Sequence, residues 1–348
     1  MGGQSETITR ATTRAGSVGE PLVSGGADAP PRRGRRGVID SFDLGIIEHL
    51  GADGRMSTKH LAELVGLTDA TVAARLRSLM ARDIVRVRAV VDWEVAGLRS
   101  PMVFFVRVRG RSVAGIAERL LNDPQVCSVC NVFGSADLVV RVLLADPIDA
   151  MTFAEEVLGA IDGLQIVMSL LDVDVAKHAN GWHTGAKVPD QLPSFPTAGE
   201  LLDAVDARLL ECLVQDARQS LRQIGRFLDV SEHTVRARLR RLEDVGLVRI
   251  CAQVDHEVVD GGGESAYLAL RTHNAHVQPI IDLMVGQPEF RTVDRVVGEY
   301  NVLGFVAAGS RAELADAIDR MRSAPGVERG ESWLVANQQL GAFPWARF

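Results

Sequence analysis

Most of this chain is written twice. Thr71-Val72-Ala73-Ala74-Arg75-Leu76-Arg77 returns as Thr234-Val235-Arg236-Ala237-Arg238-Leu239-Arg240. The match runs from Asp40/Asp203 and Asp43/Asp206, through Arg55/Arg218 and Ser57/Ser220, to Val91/Val254, Asp92/Asp255 and Glu94/Glu257. A unit this long is not a solenoid repeat of roughly 20–50 residues. It is a whole module present in two copies, and 348 residues accommodate two modules of two domains each at a soft prior of about 150 residues per domain.

Each copy opens with helical spacing. In the first, Phe42, Ile46, Ile47 and Leu50 recur along one face, Gly51-Ala52-Asp53-Gly54 breaks the pattern, and Ser57 caps a second helix to about Val65. Gly66 ends it, and Thr68 caps a third helix from Asp69 to about Arg82. Two short helices joined by a three-residue turn containing Gly are the helix-turn-helix signature. The β-branched run Ile84–Val91 follows as a wing strand. In the second copy Ser220 and Ser231 are the caps, and Leu247 to Val254 the strand.

The remainder of each copy changes character. Strand, helix, strand, a tight turn at Gly134-Ser135-Ala136-Asp137, strand, helix and strand succeed one another up to about 175. The same order follows from 265 to 336, with Gly298-Glu299-Tyr300-Asn301 at the central turn. This is the βαββαβ, ferredoxin-like order. The expected fold class is α+β: two tandem modules, each a winged helix-turn-helix followed by a ferredoxin-like βαββαβ domain. The expected divisions are a disordered basic tail over 1–38, winged domains over 39–92 and 200–255, βαββαβ domains over 93–177 and 256–340, a Pro/Gly linker over 178–199 and a tail over 341–348.

Charge points to the winged domains. The net charge is −7, yet Arg55 to Arg88 holds seven Lys/Arg against three Asp/Glu, and Arg218 to Cys251 eight against four. Local basic faces on an acidic body suit contact with phosphate through chosen surfaces. Val72, Leu76 and Leu79, with Val235, Leu239 and Leu242, form the buried stripes of the third helices. That leaves Ala70, Thr71, Ala74, Arg75 and Ser78 outward, and His233, Thr234, Ala237, Arg238 and Arg241 in the second copy. Arg can bond guanine bidentately and Thr can touch a thymine methyl or phosphate, while small Ala74 lets the helix approach a major groove. Arg77 and Arg240 lie at the edge of the stripe, free for DNA or for internal carboxylates. The expected DNA-binding set is Ser57, Thr68, Thr71, Ala74, Arg75, Arg77, Ser78, Ser220, Ser231, His233, Thr234, Arg238, Arg240 and Arg241. His233 and Arg241 stand where Ala70 and Ser78 stand, so the halves are expected to read different sequence.

The succession of helix-turn-helix, wing and βαββαβ resembles the Lrp/AsnC family, the feast/famine transcriptional regulators, once per half. The residues that carry the resemblance are Asp43, Arg55-Met56-Ser57, Leu61-Ala62, Gly66-Leu67, Val72, Arg75, Leu76, Leu79 and the Gly134-x-x-Asp137 turn, repeated at Asp206, Arg218-Gln219-Ser220, Ile224-Gly225, Val235, Arg238, Leu239, Leu242 and Gly298-x-x-Asn301. The resemblance implies double-stranded DNA as partner. It also implies a small effector, an amino acid or related metabolite, bound near Gly134, Ser135, Asp137 and Gly298, Tyr300, Asn301. Family members carry one copy and pair through the sensor sheets, so two copies imply an internal pseudo-dimer that assembles further. Effector binding is then expected to favour one placement of the DNA-binding domains. Asn301 departs from the Asp of the pattern, and a neutral amide receives an ammonium group more weakly than a carboxylate. The first turn is therefore expected to bind ligand and the second to be structural, or the two to take different ligands.

Other signals are weaker. Cys127-x-x-Cys130 falls in a strand, where positions three apart face opposite ways, so no metal site or cofactor is expected. His178, His183, His273 and His276 lack companions at ligand spacing and are expected on the surface. Four cysteines make no disulfide framework, which suits a cytoplasmic protein. No apolar run approaches the ~20 residues of a membrane span. Two alternatives share the architecture: a siroheme-decarboxylase-like tetrapyrrole enzyme, and a metabolite-binding assembly protein without DNA contact.

Overall fold

In a computed structural model the described residues are 39–178, 181–182, 196, 201–255, 263–341 and 343–347. The expected basic tail, His183 and most of the linker lie outside them. Residues Val38–Phe348 form one compact unit.

The first winged domain holds α1 (Ser41–Ala52), α2 (Thr58–Val65), α3 (Asp69–Ala81) and β1 (Val85–Asp92). The first sensor follows as β2 (Met102–Val108), α4 (Val113–Leu121), β3 (Val126–Phe133), β4 (Leu138–Val142), α5 (Pro147–Thr152) and β5 (Leu164–His178). The helix expected over 148–161 is α-helical only through Thr152 and continues as a π-helix, Phe153–Leu158. The second module repeats this as α6 (Ala204–Gln215), α7 (Leu221–Leu228), α8 (Glu232–Asp244), β7 (Val248–Asp255), β8 (Glu264–Thr272), α9 (Val277–Val285), β9 (Phe290–Val297), β10 (Val302–Ala308), α10 (Arg311–Arg322) and β11 (Val327–Leu340). Two short strands, β6 (Gly181–Trp182) and β12 (Trp345–Ala346), end the two modules.

The modules interlock rather than stand side by side. The wings pair antiparallel, from Val85 opposite Val254 to Val91 opposite Val248. Their midpoint sets Arg88 against Cys251, its own counterpart in the repeat. Residues of both modules then bury one shared core, among them Ile46, Leu50, Leu76, Leu209, Leu213 and Leu239. The linker and the tail contribute to this sheet, contrary to expectation. Gly181-Trp182 runs parallel to β7, and Trp345-Ala346 runs parallel to β1. Trp345 is buried against that shared core, which explains why the end of the chain is not a free tail.

Below the wings, the sensor strands close an eight-stranded barrel in the order β10-β8-β11-β3-β4-β2-β5-β9, with β9 returning to β10. Two of its seams join different modules: β3 with β11, where Phe133 faces Leu334, and β5 with β9, where Val297 faces Leu171. Closure removes the exposed sheet edges that βαββαβ units otherwise present. Helices α4 and α5 cover the first half from outside and α9 and α10 the second, each over its own apolar cluster. A third cluster, including Val103, Phe105, Val139, Leu170, Tyr267, Val296, Phe305 and Trp333, fills the interior. Among the described residues no helix is long and apolar enough to cross a membrane.

Candidate nucleic-acid interface

Both recognition helices start on capped first turns. The Thr68 hydroxyl accepts from Thr71 N at 3.2 Å and the Ser231 hydroxyl from Thr234 N at 3.0 Å. Each also meets the threonine hydroxyl, at 2.8 Å in both copies. Ser57 and Ser220 cap α2 and α7 in the same way, through His60 N and Gln223 N. The stripes Val72/Leu76/Leu79 and Val235/Leu239/Leu242 are buried as expected. Ala70, Thr71, Ala74, Arg77 and Ser78 are exposed on α3, and His233, Ala237, Arg240 and Arg241 on α8, with Thr234 half-buried.

Arg75 and Arg238 depart from the expected outward placement. Arg75 Nη1 lies 2.7 Å from Asp40 Oδ2 and 2.9 Å from Asp43 Oδ1. Arg238 Nη1 lies 2.6 Å from Asp203 Oδ2 and 2.9 Å from Asp206 Oδ1. These carboxylates form the capping boxes of α1 and α6, so each arginine ties a recognition helix to the start of its first helix. Backbone N–H donation from Asp206, then Arg238, holds the Asp203 carboxyl down at about 2. Arg241 bonds Asp206 Oδ2 at 2.5 Å and Leu201 O at 3.1 Å, and Arg236 pairs with Glu232 at 2.7 Å. Among the described residues Arg77 and Arg240 are exposed and make no ion pair. A shallow groove of about 600 Å³ beside α8 is lined by Asp203 and Asp206 as well as Arg238 and Arg241. Its carboxylates make it a poor seat for phosphate.

Two further arginines, Arg55 and Arg218, cross between the modules. Arg55 donates to Ala217 O at 2.5 Å and Gln219 O at 3.1 Å. Arg218 donates to Gly54 O at 2.9 Å and Met56 O at 3.3 Å. The exchange is reciprocal, and with the paired wings it fixes one recognition helix relative to the other.

The sensor turns are built alike. Asp137 Oδ2 accepts from Val108 N at 2.8 Å; Asn301 Oδ1 accepts from Thr272 N at 3.0 Å, and its Nδ2 donates to Thr272 O at 2.7 Å. The side chain at this position holds the neighbouring strand in both copies, and Asn does so with one added donor. Arg107 and Arg271 donate to the turn carbonyls, of Gly134 and Ser135 in one copy and of Gly298 and Glu299 in the other. These arginines were not among the expected site residues, although their recurrence in the repeat was a signal. Gly134 and Gly298 have φ of 145° and 154°. A Cβ at Gly134 would lie 2.9 Å from Trp333, and one at Gly298 would lie 2.7 Å from Leu170.

The surroundings of the two turns differ. Ser135 donates to Glu331 Oε1 at 2.5 Å and accepts from Trp333 Nε1 at 2.9 Å. Glu331 Oε2 accepts from the buried Tyr300 hydroxyl at 2.7 Å, and Arg329 bonds that hydroxyl at 3.1 Å. Tyr300, expected at the second turn's ligand site, therefore belongs to the network that fills the first. The second turn meets Leu170 instead, and the residue before each turn, Phe133 and Val297, is exposed. The cysteines of the Cys-x-x-Cys stretch diverge: Cys127 Sγ donates to Arg141 O, while Cys130 Sγ meets the Tyr267 hydroxyl. His178, expected at the surface, is half-buried with its ring edge-on to Trp93 at 5.0 Å.

Fold and site together define a two-headed winged-helix protein with a paired sensor barrel. Residues 39–80 and 202–243 match the AsnC-type helix-turn-helix domain, and residues 102–179 the Lrp/AsnC ligand binding domain. The chain belongs to the Lrp/AsnC family, in tandem form. The HTH-type transcriptional regulator FL11 of Pyrococcus furiosus is 25% identical over 143 residues, which are 41% of this chain and 94% of that protein. An HTH-type transcriptional regulator of Mycobacterium tuberculosis is 28% identical over 145 residues, 41% of this chain and 97% of its own. Each relative thus spans about one module. Among solved structures, the siroheme decarboxylase NirDL is similar over 88% of this chain and 94% of its own, with a TM-score of 0.61 and 12% identity. At that identity the likeness concerns the fold.

Proposed function

We propose that this protein is a transcriptional regulator that binds double-stranded DNA through α3 and α8 together and responds to a small metabolite at its sensor barrel. The observation that supports this most is the recurrence, in both copies, of a capped recognition helix whose exposed face carries one unpaired arginine, Arg77 or Arg240, beside a small Ala and a Thr. Such a face enters a major groove, with Arg reading guanine or phosphate. Arg75 and Arg238 act one step removed, by setting the pitch of each helix. The test is operator selection followed by titration. Replacing Arg77 and Arg240 with Ala is expected to weaken binding by roughly 10-fold or more per lost specific contact while leaving thermal stability unchanged. Unaltered affinity in the double variant overturns this reading.

Crossed arginines and paired wings hold the two heads of one chain together, so an effector gains leverage over how chains assemble along DNA rather than over the spacing of heads within a chain. Of the two turns, the one at Gly298 is the better seat for a metabolite with an aliphatic part. The residue before each turn is exposed, Phe133 and Val297, but Ser135 of the first turn is already bonded to Glu331 and Trp333. A tetrapyrrole enzyme remains the second reading, favoured by the likeness to NirDL across both modules. Addition of siroheme separates the two: the regulator gives no bound absorbance band.

A further inference from the structure

The barrel interior carries a buried cluster of charged side chains at one end. There Arg141 on β4 is sandwiched between two carboxylates, Asp172 on β5 at 3.1 Å and Asp294 on β9 at 2.5 Å. All three are buried, Asp294 completely. One guanidinium faces two carboxyl groups, so with both ionised the cluster is one positive charge short.

Its hydrogen bonding is short in the same sense. Asp172 Oδ1 and Oδ2 and Asp294 Oδ1 have no hydrogen-bond partner, and neither does Arg141 Nη1, whose contact with Asp172 is not directed along an N–H. Thr292, two residues before Asp294 on the same strand, has an unpartnered hydroxyl. His178 lies opposite Thr292 across the β5/β9 seam, and its Nδ1 is also unpartnered. Burial and the nearby Arg141 keep that imidazole neutral. Buried polar atoms are almost always satisfied, and a group of orphans in one place implies an occupant. Three of the six orphaned atoms are carboxyl oxygens, which call for donors, and with both carboxyls ionised the missing charge is a single positive one.

The pseudo-symmetric position shows that the fold does not require this cluster. In the other half of the barrel its places are taken by Phe305, Val335 and Cys130, with Tyr267 packed on Phe305 and Cys130. Among the described residues this cluster occurs once. His178 and Thr292 are half-buried and form its outer end. His178 packs on Trp93, directly after the wing strand, so the site lies where barrel and DNA-binding sheet meet.

We propose that this end of the barrel binds a small ligand through a single ammonium head group, ammonium itself or a primary amine, received beside Arg141 by the unpartnered oxygens of Asp172 and Asp294, with Thr292 and His178 at the entrance. This site is separate from the Gly-x-x-Asp turns and does not depend on what they bind. A head group with several N–H donors and one charge meets the stray carboxylate oxygens and neutralises the excess in one step.

The test is thermal unfolding of the full chain, freed of amines, at fixed pH and ionic strength in sodium, potassium, ammonium or methylammonium chloride. Ammonium or methylammonium is expected to raise Tm by roughly 3 °C or more over sodium and potassium at saturation. Asp172→Asn and Asp294→Asn, which keep side-chain shape, are expected to fold with unchanged circular dichroism and to lose that increment. Equal Tm in all four salts overturns the proposal, as does an increment that survives in both variants. A potassium effect equal to that of ammonium would assign a metal cation instead. A protonated carboxyl stretch in the infrared that ammonium leaves unchanged would mean a proton fills the place.

Discussion

At the residue scale, the Arg141, Asp172 and Asp294 cluster is the sharpest difference between the two halves. Burying charges costs more than pairing them usually returns, and apolar replacements of similar volume are often neutral or stabilising. The chain already contains the apolar alternative, in Phe305, Val335 and Cys130. Transplanting it as Arg141→Phe with Asp172→Val and Asp294→Cys is expected to leave stability unchanged or raise it by about 1–4 kcal/mol. Removing Arg141 alone, as Arg141→Met, strands two carboxylates and is expected to cost about 3–5 kcal/mol. Urea unfolding of both variants measures the contrast. Burial raises the Asp172 carboxyl to about 8, and burial raises Asp294 also. A carboxyl that is harder to ionise in the folded state favours folding at low pH. Its contribution is fully present below the unfolded value of 3.8 and is lost as pH rises toward about 8. In amine-free buffer, stability is expected to fall between these limits, with a flatter profile in Asp172→Asn. An equally steep profile in that variant would place the titrating group elsewhere.

At the element scale, what was legible in the sequence was local. Ser57, Thr68, Ser220 and Ser231 cap the helices they were expected to cap, because capping needs only a hydroxyl three residues ahead of a backbone N–H. Strand order in the sensors followed from alternation and turn residues. Contacts between elements were harder to read. Arg75 was assigned to DNA because its helix face looked outward, yet its partners Asp40 and Asp43 lie 35 and 32 residues earlier, at the start of the first helix of the same domain. A signal existed: the two carboxylates and the arginine recur together in both copies. The same holds for Arg107 and Arg271 behind the sensor turns. Residues 341–348 were expected to be a tail because eight residues show no period, and only the edge of β1 gives Trp345 a place. Truncation after Gly341 exposes that edge and opens the shared core at Trp345. It is expected to lower Tm by several degrees, since burying one large side chain contributes about 1.5–3 kcal/mol. A truncated chain with wild-type Tm would show that β12 adds nothing.

At the scale of the whole molecule, the repeat leads to a single body. Five strand pairings cross between the modules: the long seams β1 with β7, β3 with β11 and β5 with β9, and the short ones β12 with β1 and β6 with β7. Arg55 and Arg218 add reciprocal hydrogen bonds, and the winged-helix core draws side chains from both copies. None of these contacts uses the covalent connection between residues 183 and 200. The linker then serves to raise the effective concentration of one half for the other and to guarantee that unlike halves pair. Charge reinforces that guarantee, because Asp294 of the second module finds its guanidinium only in the first. Two second modules paired with each other would bury Asp294 beside Phe305, without a counter-charge. A protease site introduced between residues 183 and 195, cleaved in the folded protein, is therefore expected to leave both halves co-eluting on gel filtration at the size of the uncut chain. After urea unfolding and refolding of the cut halves, first modules are expected to recover second modules rather than copies of themselves. Arg141→Met is expected to weaken that selectivity. Separation of the halves immediately after cleavage would show that the linker, and not the seams, holds the molecule together.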